Sequence, residues 1–175
     1  NSNTYLNLTL YYPFDDNSSS TKAYDYAEAK DGTLEAGATI TSSCIYGNCL
    51  SLPNTITEDY INFTQQILNS KSSVCSWFYR DRTSASNVIT SDPITSSALL
   101  WEVNELAFKS NTLTYLSFGY AVPNNQWHHY CLVTNTGSNN ADLYVDGAFN
   151  DSVSCADKIA DETTCTDAGC EFQAY

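Results

Sequence analysis

In residues 127–133, Trp-His-His-Tyr-Cys-Leu-Val, the set His128, Tyr130 and Leu132 alternates with the set His129, Cys131 and Val133. Because successive side chains on a strand point to opposite faces, this pattern predicts a β-strand. Residues 136–141 are rich in Gly, Ser and Asn, which is typical of a turn, and Leu-Tyr-Val at 143–145 predicts a second strand. The Asp-Gly pair at 146–147 then predicts another tight turn, since both residues accept positive φ angles. This part of the chain is therefore predicted to be a β-hairpin.

The composition supports an all-β chain of one domain. Thirteen tyrosines and seven phenylalanines, beside many Thr and Val, favour strands. With 175 residues and 42% hydrophobic content, the chain is long enough for one well-filled core and too short for two typical domains. Helical turns could form only at 60–70, 98–109 and 157–162, and the second of these segments suits a strand equally well. Residues 83–98 are rich in Ser and Thr, and this composition predicts either a long hairpin or an exposed loop.

Six short motifs follow one another along the chain. They are Tyr-Tyr-Pro-Phe-Asp-Asp at 11–16, Asp25 with Lys-Asp-Gly-Thr-Leu at 30–34, Gly-Asn-Cys-Leu-Ser-Leu at 47–52, Asp-Tyr-Ile-Asn-Phe at 59–63, Val-Cys-Ser-Trp-Phe-Tyr at 74–79, and the hairpin with its Trp-x-His opening and Leu-Tyr-Val-Asp-Gly close. In this order they resemble the laminin-G-like family of concanavalin A-like jelly rolls over residues 5–154. The resemblance implies a two-sheet antiparallel jelly-roll sandwich with strands at the motifs, the first at 11–16. We expect this domain to occupy residues 1–154. Residues 155–175 would form a Cys-containing tail or begin a further disulfide-rich module.

Several features of the sequence indicate a secreted or cell-surface protein. The chain has seven cysteines, no methionine, and an asparagine at position 1, so we expect a processed segment whose signal peptide has been removed. No apolar run approaches the ~18 residues that cross a bilayer, so we expect no membrane insertion by this segment, although an anchor could lie outside it. Four Asn-x-Ser/Thr motifs predict N-glycosylation, and their acceptors are Asn7, Asn17, Asn62 and Asn150.

The cysteines predict two disulfides. Cys44 and Cys49 flank a Gly-Asn turn, which can bring the two residues into cross-strand register, so a small-loop disulfide is expected. Cys75 and Cys131 lie on the two Trp-bearing strands. The resemblance implies that these strands are near neighbours in one sheet, and hence that the two cysteines form a second bridge.

Three cysteines remain in the C-terminal segment: Cys155, Cys165 and Cys170. Because the number is odd, at least one of them pairs outside this segment or stays free. One interpretation is that the segment begins a disulfide-rich module whose remaining cysteine lies beyond Tyr175. The other is an interchain disulfide between copies of the protein. A zinc site is disfavoured, since thiols in an oxidising compartment form disulfides and neither histidine is nearby.

The charge of the chain excludes some ligands and permits another. A net charge of −13 and a pI near 4.1 argue against nucleic acid and against anionic membrane surfaces, which need clustered Lys or Arg. Carboxylates clustered in loops suit calcium. The resemblance implies a rim calcium in the aspartate-to-glycine loop, helped by the end of the first strand, and the predicted ligands are Asp15, Asp25, Asp31 and Gly32. The alternative is that Asp25 caps a turn and the other acids solubilise the rim.

No catalytic constellation is evident. Glucan hydrolases of related fold need two close carboxylates, which a strand supplies as Glu-x-Asp-x-Glu, and the chain has no such motif and no Gly-x-Ser-x-Gly. His128 and His129 are adjacent on a strand and face opposite sides, so they cannot act on one atom. We therefore expect no enzymatic activity.

Two functions remain open. The first is a non-catalytic recognition and adhesion domain that binds extracellular glycan or protein through its rim loops, with calcium as the candidate cofactor. The second is a glycosylated structural subunit of an extracellular filament or surface coat. Residues 1–10 motivate the second, because a free strand with alternating apolar residues can add to a sheet edge of a neighbour, and interchain contacts could join the copies.

Overall fold

The chain folds into antiparallel β-sheets. The computed structural model describes residues 8–53, 59–63, 71–81, 86–91, 98–101, 105–109, 115–135 and 140–154. Every regular element in these ranges is a β-strand, and every strand pairing is antiparallel, which confirms the predicted all-β class. The described ranges hold no apolar helix of membrane-crossing length. The chain divides into two compact units, Asn1–Gln66 and Ile67–Tyr175.

The described residues of the first unit form five short strands. They are β1 (Lys22–Ala23), β2 (Gly32–Glu35), β3 (Thr39–Thr41), β4 (Cys49–Ser51) and β5 (Tyr60–Asn62). Strands β1, β2 and β5 form a three-stranded sheet in the order β1-β2-β5, and β3 pairs with β4. The strand predicted at 60–63 is thus present as β5, and the helical alternative for this position is wrong where the residues are described.

The strand predicted at residues 11–16 is wrong, because these residues form no strand. The backbone of Tyr11 bonds to a loop instead: its N–H donates to the Asp25 carboxylate and its carbonyl accepts from the N–H of Tyr26. Phe14 has a φ of 57°, a left-handed conformation that interrupts an extended chain. Residues 1–7, which carry most of the predicted N-terminal strand, lie outside the described residues.

In the second unit, the part of the chain that the structure describes forms eight strands in two sheets. They are β6 (Lys71–Tyr79), β7 (Ser86–Ser91), β8 (Ala98–Trp101), β9 (Leu106–Lys109), β10 (Tyr115–Ser117), β11 (Trp127–Asn135), β12 (Asn140–Val145) and β13 (Ala148–Ser154). One four-stranded sheet has the order β13-β12-β11-β6, and the other has the order β10-β9-β8-β7. The pairing of β11 with β12 confirms the predicted hairpin, and the antiparallel pairing of β7 with β8 agrees with the hairpin alternative for residues 83–98 where these residues are described.

One hydrophobic core joins the two sheets of the second unit. Leu106 from β9 and Phe118, directly after β10, pack in one cluster with buried residues of β11, β12 and β13. Those residues are Tyr130, Leu132, Ala141, Leu143, Val145 and Val153. On β11 and β12 they occupy alternate positions, as the period of two predicts. The opposite face of the β6/β11/β12/β13 sheet points away from this core.

The turn between β12 and β13 has the predicted geometry. Asp146 has a φ of 51° and Gly147 a φ of 80°, and a two-residue hairpin of type I′ needs positive φ at both positions. The Asp146 N–H donates to the carbonyl of His129 (2.8 Å), and the Asp146 carboxylate accepts from the His129 N–H (2.9 Å). The turn is therefore tied to the start of β11.

Replacing Gly147 by alanine is expected to lower the free energy of unfolding by about 1–2 kcal/mol, because a Cβ disfavours the left-handed conformation. No atom lies within 4 Å of the position that a Cβ would take, so the cost is conformational and not steric. Gly147→Asn is the matched control, since asparagine adopts the left-handed conformation more readily than alanine does. The asparagine variant should therefore lose less stability than the alanine variant. Urea unfolding measures both variants, and an alanine variant as stable as the native protein would contradict the prediction.

Candidate functional site

The predicted calcium ligand Asp25 is buried and is bound by the backbone. Its Oδ1 accepts hydrogen bonds from the N–H groups of Tyr11 (2.8 Å) and Ala27 (3.0 Å). Its Oδ2 accepts from the N–H groups of Glu28 and Lys30, both at 3.1 Å. Each carboxylate oxygen thus serves two amide donors, which is close to the full accepting capacity of a carboxylate. Asp25 organises this loop around its own charge.

The other three predicted ligands lie in different settings. Asp31 is beside Asp25, whose backbone N–H donates to Asp31 Oδ1 (3.1 Å). Gly32 is the buried first residue of β2, and Asp15 lies next to Gly47 in the disulfide loop. No group of three or more His, Cys, Asp or Glu side chains in the described residues is arranged to hold a metal ion. This geometry corresponds to the turn-capping alternative, and the calcium site stays a prediction.

Two pKa values in this loop are displaced from their usual range. Burial raises the pKa of the Asp25 carboxyl, but the four amide hydrogen bonds outweigh burial and hold this pKa below its ordinary value. The Tyr12 hydroxyl donates to the carbonyl of Lys30 (2.6 Å). Burial, with the charges of Asp25 and Asp31 adding to it, raises the pKa of Tyr12 to about 12. Neither Asp25 nor Tyr12 therefore changes its charge near neutral pH.

The two predicted disulfides are both present in the structure. Cys44 is bonded to Cys49 within the first unit, and Cys75 is bonded to Cys131 across β6 and β11. The second pair is directly opposed in the strand register. Cys155, Cys165 and Cys170 lie outside the described residues.

Three of the four predicted glycan acceptors fall within the described residues. Asn17, Asn62 and Asn150 are all exposed, as a glycan attachment site must be. Asn17 Oδ1 accepts from the Ser19 N–H (2.8 Å) in a local turn. Asn7 lies outside the described residues, and occupancy of all four sites stays a prediction.

The outward face of the β6/β11/β12/β13 sheet carries aromatic side chains where polar ones would be expected. We call it the aromatic face, and it consists of Trp77, Tyr79, Trp127, His129, Tyr144 and Phe149. Trp77 is 47% exposed, Tyr79 44% and Phe149 58%. Antiparallel sheets with one face in water are usually hydrophobic inside and polar outside. Exposed apolar side chains grouped on one sheet indicate an interaction surface.

The strand register arranges the aromatic face in three rows. The register pairs are Trp127 with Tyr79 in the first row, His129 with Trp77 in the second, and Tyr144 with both Cys131 and Phe149 in the third. The ring centroids are 5.6 Å apart in the first row, 5.4 Å in the second, and 5.7 Å between the two rings of the third. Residues two apart on a strand are separated by about 7 Å, so the three rows follow one another along the sheet. The rings of the first two rows lie on β6 and β11, and those of the third row lie on β12 and β13, beside Cys131.

Sequence reasoning did not identify the aromatic face. The alternation on β11 separates one set of side chains from the other, but it does not show which set a second sheet covers. One signal in the sequence could have grouped these side chains. If Cys75 and Cys131 are opposed in the strand register, Trp77 and His129 must lie beside each other on the same face of the sheet. Only the exposure of the rings, which is a property of the folded sheet, identifies them as a surface.

The adjacent histidines face opposite sides of β11, as expected. His128 is on the core side, and its Nδ1 lies 2.8 Å from Asp146 Oδ2, so the imidazole donates to this carboxylate. The pKa of Asp146 lies below its ordinary value, chiefly because the carboxylate accepts this hydrogen bond from His128. The hydrogen bond from the His129 N–H lowers the pKa further. Within the described residues, His128 Nε2 is buried without a hydrogen-bond partner. His129 instead packs against Trp77 on the aromatic face.

Comparison with known proteins agrees with this fold. A search of curated proteins found no match. Among solved structures, the chain is similar to domain 4 of AbnA, a GH43 extracellular arabinanase from Geobacillus stearothermophilus, in complex with arabinotriose. The TM-score is 0.59 at 20% identity, over 85% of this chain and 75% of that one. The family model Laminin_G_3, described as the concanavalin A-like lectin/glucanases superfamily, matches residues 55–168. The chain therefore belongs to the laminin-G-type family of the concanavalin A-like lectin/glucanases superfamily.

Proposed function

We propose that this chain is a non-catalytic carbohydrate-binding domain of an extracellular protein, and that the aromatic face holds the ligand. The observation that carries the proposal is that three rows of rings lie on one side of a sheet and each row contains an exposed ring. Membership of the concanavalin A-like lectin/glucanases superfamily is consistent with a domain that binds carbohydrate or protein. Cys44–Cys49 and Cys75–Cys131 support an extracellular location, since disulfides persist in oxidising compartments.

The chemistry of the aromatic face favours a neutral sugar chain. A sugar ring has an apolar face of C–H groups that can stack on an aromatic ring, and flat rings in successive rows would receive successive sugar units. Asp142 and Ser152 are paired in the register of the same sheet, and the Ser152 hydroxyl donates to Asp142 Oδ1 (2.6 Å). Such groups can bind sugar hydroxyls. The net charge of −13 repels anionic ligands.

The solved neighbour supports the same ligand class. It is a domain of an extracellular arabinanase bound to arabinotriose, a short oligosaccharide. The positions of the histidines support a non-catalytic role for this chain. His128 is held by Asp146 on the core side, and His129 lies on the other face, so they do not form one acid-base pair.

Removing rings from the aromatic face is expected to weaken sugar binding. We expect Trp77→Ala and Tyr79→Ala each to reduce affinity about tenfold, the equivalent of ~1.4 kcal/mol for a lost stacking contact. Binding is measured by titration calorimetry with arabinotriose and with a panel of neutral oligosaccharides. Tyr26→Ala is the matched control, because Tyr26 is 69% exposed but lies in the first unit. Its affinity should equal that of the native protein.

Two results would contradict the proposal. Native protein that binds none of the neutral sugars would exclude the carbohydrate ligand, and sugar binding that survives both substitutions would place the site away from the aromatic face. The same titration in a calcium chelator tests the calcium prediction, since a calcium-dependent ligand is lost on chelation. The mass of the native sample tests the structural-subunit alternative, which requires ordered polymers at neutral pH.

A further inference from the structure

One end of the aromatic face lies at an edge of its sheet, next to a glycan acceptor. Strand β13 is the outermost strand in the order β13-β12-β11-β6. Phe149 on this strand is 58% exposed and meets the ring of Tyr144 edge-on, with centroids 5.7 Å apart and planes at 75°. Asn150 follows directly and begins an Asn-Asp-Ser acceptor motif. An exposed ring, with a partly exposed ring beside it, and an attachment point for sugar therefore adjoin one another.

A bulge brings Asn150 out of the regular alternation. Tyr144 pairs with Phe149 while Leu143 pairs with Asp151, so Asn150 is an extra residue in β13. In a regular strand the side chain after Phe149 would point toward the core side of the sheet. A bulge redirects side chains and bends the strand, and Asn150 is exposed, whereas Val153 further along is buried. The bulge thus leaves the acceptor in solvent at the edge where the aromatic face ends.

We propose that an N-linked glycan on Asn150 packs against Phe149 and Tyr144 and covers this end of the aromatic face. The first sugars of the glycan carry apolar C–H faces, and the exposed rings offer the complementary surface. Because the glycan is tethered one residue from Phe149, its packing is intramolecular, and a weak contact is populated without any free ligand. The rings in the rows of Trp127 and Trp77 stay open.

This arrangement restricts the ligand of the aromatic face. With the third row covered by the protein's own glycan, an outside sugar chain is confined to the rows of Trp127 and Trp77. This consequence rests on the proposed function, whereas the packing of the glycan does not. Occupancy of Asn150 would then regulate how long a sugar chain the domain can hold.

The experiment compares the exposure of the rings with and without the glycan. Protein secreted from insect cells is analysed by mass spectrometry for occupancy at Asn150 and then by hydroxyl-radical footprinting, before and after enzymatic removal of N-glycans. A sugar stacked on one side of a ring covers about half of its exposed area, so removal should raise oxidation of Phe149 and Tyr144 roughly twofold. Oxidation of Trp77 should not change.

Variants separate this effect from a general change in structure. Asn150→Gln should reproduce the increase, and Ser152→Thr, which keeps the acceptor motif, should keep the protection. Asn62→Gln is the matched control, because it removes an exposed acceptor on β5 of the first unit and should leave Phe149 protected. An unoccupied Asn150, or equal oxidation of Phe149 with and without the glycan, would overturn the inference.

A binding measurement tests the consequence for the ligand. Asn150→Gln should bind arabinan fragments longer than arabinotriose more tightly than the glycosylated protein does, and equal affinities would overturn the restriction. If neither form binds any sugar, the proposed function fails. The footprinting result still decides whether the glycan packs on the aromatic face, so the two failures are distinguishable.

Discussion

The double variant Cys75→Ala/Cys131→Ala is expected to be less stable than the native protein by about 4 kcal/mol. The bridge joins residues 56 positions apart, so it removes many conformations from the unfolded chain. The Cys44–Cys49 bridge spans only 5 positions, and the same chain-entropy relation gives about 2 kcal/mol for it. The cost of losing a disulfide should therefore follow the length of the closed loop.

Urea unfolding of both double variants tests this difference. Cys44→Ala/Cys49→Ala is the matched control, because it removes the same number of cysteines and one disulfide from the other unit. Equal losses of stability in the two variants would contradict the loop-length explanation. The pairing of β6 with β11 should persist without the bridge, since the register runs through the full length of both strands, from Trp127 opposite Tyr79 to Asn135 opposite Lys71.

Replacing Asp25 by alanine is expected to lower the free energy of unfolding by about 3 kcal/mol. The substitution leaves four backbone N–H groups, those of Tyr11, Ala27, Glu28 and Lys30, without their acceptor. Hydrogen bonds to a charged group are stronger than neutral ones, and buried donors without a partner carry the desolvation penalty. Asp25→Asn should be nearly as damaging, because its amide N–H₂ would face two of these donors.

Glu28→Gln is the matched control for this substitution, since it also neutralises an acid in the same loop. Its partner is Lys30 (2.6 Å), and both side chains are partly exposed to solvent, so the loss should stay below about 1 kcal/mol. Denaturant unfolding at neutral pH measures the three variants. If Asp25→Ala were no more destabilising than Glu28→Gln, the carboxylate would not be the organiser of the loop.

The same residue predicts an acid dependence of stability. The pKa of Asp25 in the folded protein lies below its unfolded value of about 3.9, so its contribution is complete above that pH. The contribution is lost as the pH falls through the folded pKa. Asp25→Ala should therefore show a shallower loss of stability on acidification than the native protein. Some dependence should remain, since the pKa of Asp146 is also lowered. Identical acid profiles would contradict the assignment.

The hairpin of β11 and β12 could be predicted in detail because the residues that specify its strands and turns are neighbours in the sequence. The alternation in residues 127–133 follows from the period of two in a strand, and the turn at Asp146 follows from which residues tolerate positive φ. The Cys44–Cys49 bridge was predictable for the same reason, as its cysteines flank a short turn. In contrast, the strand expected at 11–16 failed. Its residues have a strand-like composition, but the backbone groups of Tyr11 bond to Asp25 and Tyr26, many positions away.

Alternation along the strands is enough to tell which side chains share a face of the sheet, because neighbours on a strand must point to opposite sides. It separated His128 from His129 and excluded a joint catalytic role for them. Which of the two faces is covered follows from the folded structure, since burial depends on where the second sheet packs. Tyr130 is buried by that packing, whereas Trp77, with an equally apolar ring, stays in solvent. The candidate binding surface is thus a consequence of sheet packing, a long-range event that alternation along one strand does not encode.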